Sequence, residues 1–329
     1  MKSPLVPKSH TEQLKYVISC AVQAPSSHNT QPWKFSIEKN TISVYADLTR
    51  NLPTGDPNNR ELYISVGTCL QNLISAAQAL NCRVKVEYFS LPKSKELVAT
   101  VEIIFPKTKT KPNKEILDAI WERRSNRTSY LPEKNIPQGV QQKIIKLATD
   151  HELKLNLIAD RTKITAISKM VKQGMIEFLW KPAFRKELSR WIRHDWSKKG
   201  DGLPGYSIGL PGVISLVAPV LVQSTATIPV IALTEAKAVE SCPVVGVLTI
   251  KKDIPLWWVK TGMTFEAIAL HLETRGISTS ILTAAVECPS QNIKLRKLVS
   301  GVPGLFFRLG YSTGPGISVP RRDGENVLR

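Results

Sequence analysis

The chain has 329 residues and 42% hydrophobic side chains, enough for one large domain or two of ordinary size, which excludes general disorder. Its 45 Lys and Arg against 27 Asp and Glu give a formal net charge of +18. The basic residues are scattered, however, and no basic run is interleaved with aromatics as a base-stacking surface requires. Five widely spaced cysteines (Cys20, Cys69, Cys82, Cys242, Cys288) without a Cys-x-x-Cys pair argue against a disulfide framework or a zinc site and fit a reducing compartment.

The opening residues Met1-Lys2-Ser3-Pro4 lack the apolar run of a signal peptide. Leu14, Val17, Ile18, Ala21 and Val22 then share one helical face. The helix gives way to residues 24–33, Ala-Pro-Ser-Ser-His-Asn-Thr-Gln-Pro-Trp. Pro25 and Pro32 restrict the backbone, and between them stand Ser26, Ser27, Asn29 and Gln31, uncharged side chains that donate and accept hydrogen bonds. Such a set suits the edge of a polar heterocycle; a helix stop followed by a Ser/Asn turn is the plainer alternative. Alternation over 33–37 and 41–46 predicts a hairpin through Glu38-Lys39-Asn40. A helix is predicted over 62–80, where Gly67 implies close packing against a neighbour, followed by strands over 83–89 and 97–105. Residues 106–112 (Pro-Lys-Thr-Lys-Thr-Lys-Pro) read as a linker.

Beyond it the order recurs. A helix from residue 115 runs into Arg123-Arg124-Ser125-Asn126-Arg127, a second helix covers 138–148, and a strand 153–159. Helices are predicted over 161–179 and 184–196, then a Gly/Pro-rich loop over 200–212. Residues 213–233 are the most apolar window, but Pro219, Gln223, Ser224 and Pro229 interrupt it and argue against a membrane span. A buried strand over 244–250, a long helix over 257–275 and a strand over 305–309 complete the chain. Gly262 in the second long helix stands in a place comparable with Gly67 in the first. Each half reads helix, strands, long helix, strand, which predicts a degenerate internal duplication: a first half at 1–105, the linker, and a second half at 113–329.

Three guanidinium groups and a hydroxyl within residues 123–127 repel one another unless an anion relieves them, and Arg forks match phosphate oxygens. A basic helix terminus favoured by the macrodipole is the alternative. Pro320-Arg321-Arg322 is a second candidate phosphate clamp. His28 is either a ligand contact or a turn histidine, His194 and Asp195 form a local pair, and His271 reads as packed. Trp257 and Trp258 read as anchors of the long helix. No Walker or Rossmann fingerprint and no metal-ligand set is present.

Residues 24–33, 123–127 and the pair 321–322 together resemble the motifs of the flavin-dependent nitroreductase family. The likeness spans nearly the whole chain and is similar to the long, duplicated Acg-like branch, which Gly202-Leu203-Pro204-Gly205-Tyr206 and residues 311–322 also resemble. It implies an α+β nitroreductase-like fold in which two degenerate halves form an internal pseudo-dimer around one FMN, self-contained without a second subunit. By the same resemblance Arg123, Ser125, Arg321 and Arg322 would hold the phosphate, with Arg124 adjacent, and Arg127 would stand near the N1–C2 carbonyl. Pro25, Ser26, Ser27, Asn29 and Gln31 would contact the ring or ribityl chain, and backbone N–H groups of 284–287 (Ala284, Ala285, Val286, Glu287) would face the N5 edge. The flavin carries the chemistry, so no catalytic acid or base is expected, and NAD(P)H would reduce it before a small electron-poor acceptor such as a nitroaromatic or quinone, in ping-pong order. Residues 200–212 would cover the flavin. A flavin-sequestering protein with little turnover is the alternative, and a basic nucleic-acid-binding protein a second. The expected location is the cytoplasm, with no membrane partner and no specific nucleic acid.

Overall fold

The computed structural model describes residues 2–89, 96–108 and 110–329. The chain opens with α1 (His10–Ala21), N-capped by Ser9, whose hydroxyl accepts from the Glu12 amide and donates to the Glu12 carboxylate. After the 24–33 loop come β1 (Trp33–Glu38) and β2 (Thr41–Ala46), in register from Trp33 opposite Ala46 to Glu38 opposite Thr41. The long helix α2 (Arg60–Ala79) leads to β3 (Arg83–Tyr88) and β4 (Leu97–Ile104). These four strands form one antiparallel sheet in the order β1-β2-β4-β3.

The second half begins with α3 (Lys114–Glu122), capped by the Asn113 side chain, then α4 (Gln138–Asp150) and β5 (Lys154–Ile158). An insertion follows: α5 (Arg161–Leu179), α6 (Pro182–Trp191), the two-residue strands β6 (Ile192–Arg193) and β7 (Leu203–Pro204), α7 (Ile214–Leu221) and α8 (Ile228–Glu240). The chain then resumes with β8 (Val244–Ile250), α9 (Pro255–Glu273), β9 (Ser278–Ile281), the short helices α10 (Ala284–Glu287) and α11 (Pro289–Leu295), and β10 (Val302–Gly310). Here the sheet order is β5-β8-β10-β9, again antiparallel throughout. Taken in chain order within each half, the two sheets have one topology, with α2 and α9 in corresponding positions.

Both long helices are buried around most of their circumference, as helices at the centre of a core must be. They pack on each other at their glycines. A methyl group added to Gly67 would land on the Val259 carbonyl oxygen, and one added to Gly262 on that of Ile64. Val259 precedes Gly262 by three residues and Ile64 precedes Gly67 by three, so the contact is reciprocal, as in an isologous interface. One hydrophobic cluster accordingly runs from Leu14 through Val259 to Val327 and takes side chains from both sheets.

Three sequence expectations change. The helix expected over 184–196 stops at Trp191, because Ile192 turns to extended backbone and pairs in parallel with Leu203. The interrupted apolar window is two helices: Pro229 lies in the first turn of α8, where no N–H bond is lost, while Pro219 is accommodated inside α7. The strand expected over 305–309 is longer, and β9 beside it was not expected. Within the expected linker, Lys109 lies outside the described residues.

Candidate functional site

The 24–33 loop is held by the first half and met by the second. Thr68 on α2 donates to the Pro25 carbonyl (2.8 Å), and the Ser26 hydroxyl accepts from the Gln31 amide (2.9 Å). His28, Asn29 and Gln31 all adopt left-handed backbone, φ of 50°, 54° and 51°, a concentration of strain that only a well-determined surrounding sustains. The twist turns the two carboxamides toward the rear of the chain. Asn29 Nδ2 donates to the carbonyls of Gly202 and Pro320, both at 2.9 Å, and Asn29 Oδ1 accepts from Arg321 Nη1 at 2.9 Å. Gln31 Nε2 donates to the Gly200 carbonyl (2.7 Å), and Gln31 Oε1 accepts from the Arg322 amide (2.8 Å). The amides predicted to face a ligand are therefore engaged with the chain itself, and what they bind is the 200–202 segment and the tail.

The arginines divide. Arg123 is buried at the C-terminal end of α3, with Nη2 on the Gln23 carbonyl (3.1 Å) and Nε 2.9 Å from Glu266 Oε1, though poorly aligned for a hydrogen bond. The Asn72 amide fits between Glu266 Oε1 (2.9 Å) and the Ala24 amide (3.2 Å), which ties α2, α9 and the loop together. Arg321 reaches the Gln23 carbonyl from the other side (3.3 Å). Burial and the neighbouring charges of Arg123 and Arg124 push its guanidinium down to about 9. Arg124 is half-buried, bonded to the Trp121 and Arg123 carbonyls at 2.8 Å and covered by Gly316. Two donors in this cluster, Arg123 Nη1 and Arg321 Nε, are buried with no acceptor. The three guanidinium groups lie with the buried Glu266 and the half-buried Glu273, the exposed Glu122 also acting on Arg124, and the buried donors of Arg123 and Arg321 stay unmatched, which an anion would satisfy.

Arg322 does not join them. Its guanidinium binds the carbonyls of Gln31, Trp33 and Asn326 and fastens the tail to β1, where Arg329 also pairs with the Phe35 backbone. Ser125 lies in a single parallel bridge with Thr279, and Arg127 is exposed beside His28. Burial, then the Arg127 charge, holds the His28 imidazole down to about 4. In α10 the amides of Val286 and Glu287 donate to the Thr283 carbonyl (2.9 and 2.8 Å), and the Glu287 carboxylate pairs with Arg60. Those two N–H groups are therefore engaged within their own turn; Ala284 and Ala285 complete it, buried against α5 at Gly174.

Several residues that organise this region escaped the sequence reading. Asn126 is buried and holds the Arg segment in place: it donates to the Gly314 carbonyl (2.9 Å), accepts from Thr128, and its carbonyl receives Tyr130 and Arg308. Glu61 accepts from the Ser27 hydroxyl at 2.8 Å, and burial, with Asp56 adding to it against Arg60, raises its carboxyl to about 7. Glu266 had a visible signal, a lone carboxylate within the apolar run of α9. Asp195 takes the Tyr206 (2.9 Å) and Gly212 (2.7 Å) amides rather than pairing with His194, so it pins the 205–212 turn. Asp201 bridges Arg50 and Arg193 and so anchors the 200–202 segment.

No protein-family model matches the chain. Over 99% of its length it is 24% identical to "Putative NAD(P)H nitroreductase Rv3131" of Mycobacterium tuberculosis, of which 95% is matched. It is likewise 24% identical over 97% of its length to "Putative NAD(P)H nitroreductase acg" of the same organism, with 96% of that protein matched. Among solved structures, the FMN-dependent nitroreductase NfnB from Mycobacterium smegmatis, in complex with NADPH, aligns at 12% identity and a TM-score of 0.41 over 64% of this chain and 95% of that one. From end to end the chain is similar to these two relatives, each of them named as a nitroreductase.

Proposed function

We propose that the protein is an FMN-binding NAD(P)H oxidoreductase of nitroreductase type, and that Arg123, Arg124 and Arg321 hold the FMN phosphate. The observation that carries this reading is the pair of buried guanidinium donors without acceptors in a cluster of three arginines, next to the 24–33 loop. FMN, when bound, supplies hydride-level redox chemistry between a nicotinamide and an electron-poor acceptor. This chain's residues bind and orient it: Arg127 stands beside His28, Ser27 braces the loop on α2 through Ser65 and Glu61, and Ser26 closes the loop on the Gln31 amide. The names of the two curated relatives, each beginning "Putative NAD(P)H nitroreductase", support the reaction class.

The shared sheet order and the reciprocal glycine contact support a second part of the reading: residues 1–105 and 113–329 descend from one duplicated unit, and the molecule is its own dimer. A sequestering role is favoured by a specific observation, since the amides of Asn29 and Gln31 close directly on Gly200 and Gly202 of the cover. Purified protein should be yellow, release FMN on denaturation, and bleach when NADPH is added without oxygen. A yellow protein that resists NADPH would leave sequestration as the function; a colourless one that takes up no added FMN would remove both.

A further inference from the structure

Residues 202–234 contain no Asp, Glu, Lys, Arg or His, in a chain whose charged residues amount to 22%. The stretch ends in α7 and the first turns of α8, and α7 is built inside out. It buries the small side chains Ser215 and Ala218, while Val213 (74% exposed), Leu216 (56%) and Val220 (69%) face solvent with Ile214, Val217 and Leu221. Val230 (66%) and Leu233 (41%) of α8 are exposed as well. A contiguous exposed patch of large aliphatic residues marks an interaction surface, because leaving it in water is unfavourable.

The surroundings define the partner. Trp196, 60% exposed, follows Asp195, whose amide donates to Ser215 Oγ (3.0 Å) at the start of α7. Lys198 and Lys199 are exposed beside it, and Lys186 and Arg190 are exposed on α6, which packs against α7. An apolar helix, a tryptophan at its rim and a collar of cations is the composition of a segment lying in the interface of an anionic bilayer. A second copy of this chain fits less well, since a two-fold contact would bring the same collars together on molecules of charge +18. Among the described residues no single helix is long and apolar enough to cross a membrane, and α7 and the helix after it are bent by 101° at their break, a geometry compatible with a surface contact. We infer that the α7–α8 face docks on anionic membrane surfaces, with the aliphatic side chains of α7 entering the headgroup boundary.

The test is flotation of the full-length protein with vesicles of phosphatidylglycerol and phosphatidylethanolamine, against vesicles of phosphatidylcholine. Wild type should float with the first and stay behind with the second. Leu216→Glu with Val220→Glu should reduce the vesicle-bound fraction about tenfold or more while melting at the same temperature, since both side chains are already in solvent. If that variant melts lower, quenching of tryptophan fluorescence by brominated lipid, lost in Trp196→Phe, decides the matter. Wild type that ignores anionic vesicles would overturn the inference, as would a variant that floats equally well. So would self-association of wild type, abolished by the same two substitutions, without vesicle binding.

Discussion

Asn29 and Arg321 share a 2.9 Å hydrogen bond across 292 positions of sequence, so the site depends on single side chains arriving from opposite ends of the chain. Arg321→Ala removes one of the two unpaired donors and should weaken FMN retention by about 1.5–3 kcal/mol, measured as the dissociation constant of the released flavin. Arg123→Ala acts differently: it leaves Glu266 buried without its ion pair and should lower stability by roughly 3–5 kcal/mol in denaturant unfolding. Adding Glu266→Gln should return part of that loss. The titrations of Glu61 and His28 oppose each other. Glu61 is raised from 4.5 to about 7, so its contribution to stability is complete below pH 4.5 and is lost as pH rises through 7. His28 is lowered from 6.5 to about 4, so its contribution is complete above pH 6.5 and is lost as pH falls through 4. Wild type should therefore vary little between pH 4.5 and 6.5 on their account. Glu61→Gln should become more stable as pH rises across that window and His28→Gln less stable, by up to about 3 kcal/mol each in urea titrations.

Among elements, the crossing of α2 and α9 carries the fold. Their glycines admit no side chain because each faces a backbone carbonyl, which cannot move aside as a flexible side chain does. Gly67→Ala and Gly262→Ala should each destabilise by about 3 kcal/mol or more, and by similar amounts, since the contact is reciprocal. A large cost at one and none at the other would count against the symmetric reading. The 200–204 segment has its own fastening. Burial works against ionisation of Asp201, but hydrogen bonds from Arg193 and Arg50 outweigh it and hold the carboxyl below its usual range. Asp201→Ala should release the 200–204 segment, seen as faster amide exchange there with α9 unchanged.

At the scale of the molecule, the two halves share one core, so unfolding should be a single cooperative transition with coincident near- and far-ultraviolet circular dichroism curves. Two separated transitions would show that 1–105 and 113–329 stand alone. The sequence by itself determined a good deal. Alternation and helical periodicity placed both β hairpin strands and both long helices, and Gly67 announced close packing against a neighbour, because each signal is local or repeats along one element. The motif residues 24–33 and 123–127 were legible because special side chains crowd into short runs. Only the tertiary structure decided that Arg322 serves the tail and Arg321 the cluster, that Asn126, Glu61 and Glu266 organise the site, and that α7 turns its large side chains outward. Each of these depends on partners more than thirty residues away or on which face a neighbour covers, and neither is written in the spacing of nearby residues.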